Sequence, residues 1–160
     1  MILDKSFFPL TLLAALGCGL MAGLFFTFST FVMKALSRLP AGEGMAAMQA
    51  INSAILNPLF FVVFFGTMAV CLWAVVASLM RWHHEGSAFR LAGGAIYLVG
   101  GFLVTAVFNV PMNEKLAATP PTSPEAAALW SNYLTNWTAW NHVRTVASLA
   151  AAALLTLALA

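Results

Sequence analysis

Four apolar segments, each long enough to cross a lipid bilayer, take up most of this chain and leave little room for another design. They cover residues 7–36, 58–80, 89–110 and 138–160. About 20 apolar residues in a helix span the ~30 Å hydrocarbon layer. Hydrocarbon offers the backbone no hydrogen-bond partners, so each segment is expected to be helical. Only 8% of the residues are charged, against about 25% in a soluble domain, so lipid is the main solvent of the exterior. The net charge of +2 is thinly spread and carries no footprint for nucleic acid. These features predict a single domain over 1–160. Its fold class is all-α: an integral membrane four-helix antiparallel bundle.

The connections differ in kind. The second, 81–86, is a short polar turn. The first, 40–57, carries Met45, Met48, Ile51 and Ile55 at helical spacing, which predicts a short amphipathic helix in the membrane interface. The third, 113–136, holds Ser123-Pro124-Glu125, a helix-start pattern. A second short interfacial helix bearing Leu129, Trp130 and Tyr133 is expected to follow it. In an antiparallel bundle both structured connections fall at one end. Within the apolar runs, Cys18 and Cys71 read as buried small side chains. The run continues past Cys18, which predicts a membrane helix and not a cleaved leader. Gly19 and Gly23, four residues apart, predict a face for close packing inside the bundle.

Most membrane-embedded polar residues converge on that same end. Thr27, Ser29, Thr30, Lys34 and Arg38 close the first helix, and Asn52 and Asn57 precede the second. Asn109, Asn113, Glu114 and Lys115 close the third, and Trp137, Trp140, Asn141, His142 and Arg144 open the fourth. Arg144 is the sharpest of these, because sixteen apolar or weakly polar residues follow it. A charge at that depth is costly. It is either a site residue or an arginine snorkelling to the headgroups. It shares a helix face with Asn141, Trp137 and Trp140, a polar patch beside aromatics that suits a flat, oxygenated ligand. His142 has the right chemistry for a general base, with Glu43 and Glu114 as alternatives. No residue spacing matches a haem, iron–sulfur or closed zinc site, and no cofactor is expected.

Three stretches carry a family likeness: residues 19–29 (Gly-Leu-Met-Ala-Gly-Leu-Phe-Phe-Thr-Phe-Ser), Asn109-x-Pro-x-Asn113, and Trp137-x-x-Trp140-Asn141-His142-Val143-Arg144. Over nearly its whole length the chain resembles the DUF1772, or anthrone oxygenase-like, family of small four-helix membrane proteins. Some fungal members are linked to oxidation of polyketide anthrones to anthraquinones without an added cofactor. The resemblance implies that Asn109, Asn113, Trp137, Asn141 and Arg144 line a pocket, with His142 as candidate base. The expected site thus has His142 and Arg144 as catalytic residues. Asn109, Asn113, Trp137, Trp140, Asn141, Thr30, Lys34 and Asn57 are its substrate-binding residues.

The expected function is a membrane-embedded oxygenase or oxidase acting on a lipophilic aromatic, anthrone- or quinone-like compound, with dioxygen as co-substrate. The alternative is a non-catalytic membrane protein that binds a lipid, a quinone or a partner subunit. A transporter is the weaker reading, because the middles of the second and third helices hold almost no polar residues. The expected location is the bacterial inner membrane with cytoplasmic termini, although Lys5, Arg81 and Arg90 on one side nearly balance Lys34, Arg38 and Lys115 on the other.

Overall fold

The computed structural model describes residues 2–160, with side chains from residue 6 onward. Lys5, counted above among the charges, lies outside the described side chains. The described residues form five helices and no strand. Helix α1 is α-helical over Ile2–Thr27, widens to a π-helix over Phe28–Val32, and closes over Met33–Leu36. Helix α2 spans Ala41–Ala54 and α3 spans Pro58–Met80. Helix α4 starts over Ser87–Ile96, passes through π-helical Tyr97–Leu103 and Thr105–Asn109, and ends over Val110–Ala117. Helix α5 spans Ala126–Leu157.

Local chemistry sets these boundaries. Asn57 caps α3 by accepting the Phe60 N–H at 3.0 Å, and Pro58 takes the first helical position, where its missing donor costs nothing. Gly86 ends the turn before α4 at φ 71°, a left-handed conformation that glycine adopts without strain. A side chain there would also meet the Ala158 carbonyl.

Three helical stretches, Ser6–Leu36, Pro58–Met80 and Ser87–Ala117, are long and apolar enough to cross a membrane. Helix α5 is not among them, because Asn136, Asn141, His142 and Arg144 interrupt its apolar character. The four long helices pack in a ring: α1 and α4 each touch both α3 and α5. Residue pairs show that neighbours run antiparallel. Phe28 meets Trp137 and Phe25 meets Arg144 across α1 and α5. Across α4 and α5, Asn109 meets Trp137 and Thr105 meets Arg144. Across α3 and α4, Phe64 stacks on Phe102 while Cys71 lies against Gly94. Gly94 allows that approach, since a Cβ there would sit 2.8 Å from the Cys71 carbonyl oxygen.

Two cores result. One, around Cys18, Met21, Phe64, Cys71, Tyr97 and Leu155, fills the ring of long helices. The other, around Met33, Met45, Met48, Leu116, Trp130 and Tyr133, lies where α2 covers the far end. Cys18 and Cys71 are both fully buried, with sulfurs 3.6 Å apart.

The structure departs from several expectations. The short helix expected in the third connection is the first part of α5, which runs on unbroken to Leu157. No glycine or proline falls between Ala126 and Leu157 to stop it. The third apolar helix does not end at residue 110 but continues through Pro111 to Ala117. Pro111 sits at the start of that last α-helical stretch, just after a π-helical segment, where the change of pitch relaxes the need for its missing donor. Gly19 and Gly23 are exposed, and a Cβ at either would touch nothing within 4 Å. They are not the packing face of the bundle. Arg90, counted as a surface charge, is 2% exposed.

Candidate functional site

Between the two cores lies a cavity of about 110 Å³. Phe25 and Phe28 of α1, Phe60 of α3 and Trp137 of α5 supply aromatic wall, and Ile51, Ile55 and Leu56 supply aliphatic wall. Its polar groups are Asn52, Thr105, Asn113 and Arg144. It continues into a groove of about 380 Å³ through the shared residues Asn52, Ile55, Leu56, Val110 and Asn113, and Glu114 is the one carboxylate along that groove. A larger space of about 600 Å³ lies at the other end beside Arg90. There the guanidinium is already engaged, by Thr11 Oγ1 and by the Glu85 carbonyl. The 110 Å³ cavity is therefore the stronger candidate site.

Arg144 is 4% exposed. Its Nη2 donates to Asn141 Oδ1 at 2.6 Å and its Nη1 to Thr105 Oγ1 at 3.4 Å. The guanidinium carbon lies 4.3 Å from the Phe25 ring centroid and 4.9 Å from that of Trp137. Every one of these partners is neutral, and among the described residues Nε has no hydrogen-bond partner. Asn141 is held in turn: its Nδ2 donates to the Phe25 carbonyl at 2.7 Å and to Ser29 Oγ at 2.8 Å. Ser29 and Thr145 share a further hydrogen bond of 2.9 Å. The π-helical turns of α1 and α4 flank this network, in keeping with the common placement of such turns at functional sites.

On α5, Trp130, Tyr133 and Trp137 stack along one face with centroid separations of 5.7 Å at each step. Asn113 Oδ1 accepts both the Tyr133 hydroxyl and the Trp137 indole N–H, each at 2.7 Å. Burial pushes the Tyr133 phenol above its ordinary range.

Of the residues expected at the site, Asn113, Trp137 and Arg144 line the cavity. Asn141 lies directly behind Arg144. Asn109 is buried and donates to the Trp137 carbonyl at 3.2 Å, supporting α5 without facing the cavity. Trp140 stacks on Phe108, ring centroids 3.7 Å apart, away from it. Thr30 is exposed and bonded to the Phe26 carbonyl, Lys34 is exposed, and Asn57 serves as the α3 cap. His142 and Glu43 are exposed and line neither the cavity nor its groove. Thr105 and the ring of Phe25 belong to the site without having been singled out for it, and Asn52, named only among the polar residues of that end, lines the cavity as well. The spacing Thr105–Asn109–Asn113, four residues apart on α4, was the signal for Thr105. Among the described residues, no three of His, Cys, Asp and Glu gather as metal ligands.

Nothing matches among the curated proteins, and nothing among the solved structures. The family model described as "Anthrone oxygenase" matches residues 60–154, which include Thr105, Asn113, Trp137, Asn141 and Arg144. That match covers more than half of the chain, and the protein belongs to the anthrone oxygenase (DUF1772) family.

Proposed function

We propose that the Arg144 cavity binds a flat, lipophilic aromatic compound through an electron-rich oxygen, and that the protein oxidises it with dioxygen as an anthrone oxygenase-like enzyme. One observation carries this reading. A guanidinium 4% exposed, with only neutral partners and a free Nε, forms part of the wall of an aromatic cavity. Burying an unpaired cation costs several kcal/mol. An anionic oxygen in the cavity offsets that cost, and Phe25, Phe28, Phe60 and Trp137 offer ring surface to the rest of the compound. The narrow cavity takes the reacting end and the groove takes the remainder.

The chemistry follows from that placement. Loss of a proton from an activated CH2 group leaves a carbanion delocalised onto the ring oxygen. Arg144 N–H donors stabilise this oxyanion in a site shielded from water, an effect worth about 3–4 kcal/mol for one well-placed donor. The anion passes one electron to dioxygen, the two radicals combine to a peroxide, and loss of water leaves a ketone. In sum, CH2 and O2 become C=O and H2O. The proton departs through the groove, where Glu114 is the available carboxylate, and returns by the same route to the peroxide before water leaves. His142, exposed on the outside, is given no part.

The membrane setting belongs to the same proposal. Residues 138–157 of α5 form a fourth span beside the three apolar helices, which makes an integral membrane four-helix bundle in a bacterial inner membrane. With 32 residues, α5 is about 48 Å long, against ~30 Å of hydrocarbon. Its first turns therefore project with α2 beyond the lipid, and Arg144 lies near the boundary. Exposed Lys34, Arg38 and Lys115 at the α2 end outnumber the basic residues Lys5 and Arg81 at the turn end once buried Arg90 is set aside. That count favours a cytoplasmic α2 end, the reverse of the orientation expected from sequence.

Oxygen uptake by purified, metal-stripped protein given a simple anthrone tests the activity, with Arg144→Ala beside wild type. Uptake above the spontaneous rate that Arg144→Ala abolishes supports the oxygenase. The lack of an imidazole or carboxylate lining the cavity itself favours a second reading, a ligand-binding module. Binding of the compound without oxygen uptake would select that one.

A further inference from the structure

The polar groups at the cavity have a definite direction, set by a residue that does not line it. An indole N–H only donates. The amide atom of Asn113 that meets Trp137 Nε1 at 2.7 Å is therefore oxygen. The Tyr133 hydroxyl lies 2.7 Å from the same oxygen and donates to it. Its one proton is then engaged, so towards Asn52, at 3.3 Å, it accepts, and Asn52 must turn Nδ2 to it. Two groups are left over: Asn113 Nδ2, a donor, and Asn52 Oδ1, an acceptor. Both residues line the cavity and the groove. Tyr133 lines neither; it is 2% exposed and held between the Trp130 and Trp137 rings.

We propose that Tyr133 is a positioning residue that fixes the hydrogen-bond polarity of this site, so that it selects a hydroxylated aromatic ketone. One acceptor oxygen meets Arg144, a second meets Asn113 Nδ2, and a hydroxyl donates to Asn52 Oδ1. This rests on the reading of the cavity given above and adds to it the pattern of substituents. The two asparagines depend on Tyr133 to different degrees. Trp137 alone still holds the Asn113 amide in place, whereas among the described residues the Tyr133 hydroxyl is the one hydrogen-bond partner of the Asn52 side chain. Removing that hydroxyl frees Asn52 to present either end of its amide, while Asn113 remains a donor.

The experiment compares 2-hydroxyanthraquinone with 2-methoxyanthraquinone, which differ in the ability to donate. Binding is read by quenching of tryptophan fluorescence in detergent micelles. Wild type is expected to prefer the hydroxy compound roughly tenfold, the factor set when the bound methoxy compound covers the Asn52 acceptor and leaves it unpaired. Tyr133→Phe keeps the ring stack and brings the ratio close to one, and Asn52→Leu does the same with Tyr133 intact. A ratio is the readout because a general loss of folding weakens both compounds alike. An unchanged ratio in Tyr133→Phe, or no preference in wild type, overturns the inference and leaves the cavity reading standing. Failure of wild type to bind either compound overturns both.

Discussion

Replacing Arg144 with methionine separates ligand binding from stability, because turnover should collapse while stability changes little. The substitution leaves Asn141 Oδ1 without its 2.6 Å donor, a loss of about 1–3 kcal/mol for a buried acceptor. It also removes cation–ring contacts at 4.3 and 4.9 Å, worth about 0.5–2 kcal/mol each. The methionine sulfur restores part of that against the same rings. Against these losses stands relief from burying a cation with no counter-charge, several kcal/mol. Asn141 keeps its bonds to the Phe25 carbonyl and Ser29, so the local structure has reason to persist. The terms cancel to within about 2 kcal/mol. Turnover of an anthrone should nonetheless fall about 10²–10³-fold, the usual effect of deleting one oxyanion donor. Thermal unfolding in micelles and oxygen uptake on the same preparations measure the two quantities. A loss of more than about 3 kcal/mol in stability, with uptake per folded molecule unchanged, would show that Arg144 is a structural residue and refute the reasoning.

Four further outcomes are expected. His142→Ala, on the exposed face of α5, should leave stability within about 0.5 kcal/mol of wild type and leave turnover intact; a large loss of turnover would return His142 to the site. Gly101→Ala should cost about 1–3 kcal/mol by overpacking, since its Cβ would lie 3.0 Å from the Tyr97 ring and 3.3 Å from Ser148 Oγ. Gly23→Ala, with nothing within 4 Å, should be close to neutral in thermal unfolding. Burial raises the Tyr133 phenol above its ordinary value of 10.0, so its contribution is whole below that pH and is lost as pH rises past it. Alkaline unfolding of Tyr133→Phe should accordingly show a shallower fall with pH than wild type.

Depth along the bundle was legible in the sequence; direction around each helix was not. The apolar runs marked the three spans, because hydrocarbon tolerates nothing else. Arg144 and Asn141 stand three residues apart on one helix, and that spacing alone put them on one face. Thr30, Lys34 and Asn57 were placed at the correct end, but each turns outward, because nothing local fixes the azimuth of a helix whose residues are nearly all apolar. Asn52 and Thr105 reach the cavity through packing between helices far apart in sequence. The unbroken α5 was within reach: residues 126–157 contain no glycine or proline, yet the third connection was carried on to residue 136. The outward-facing Gly19 and Gly23 carry the opposite lesson, that small-residue spacing names a face without saying what lies against it.

The proposed chemistry requires that Arg144 meet an oxyanion. An anaerobic absorption titration of bound anthrone, following the enolate band, tests it directly in wild type and Arg144→Met. The account predicts that wild type lowers the ionisation pH of the bound compound by at least about one unit, and that Arg144→Met abolishes the shift. An unshifted or raised value in wild type, the behaviour of a purely apolar pocket, would contradict it.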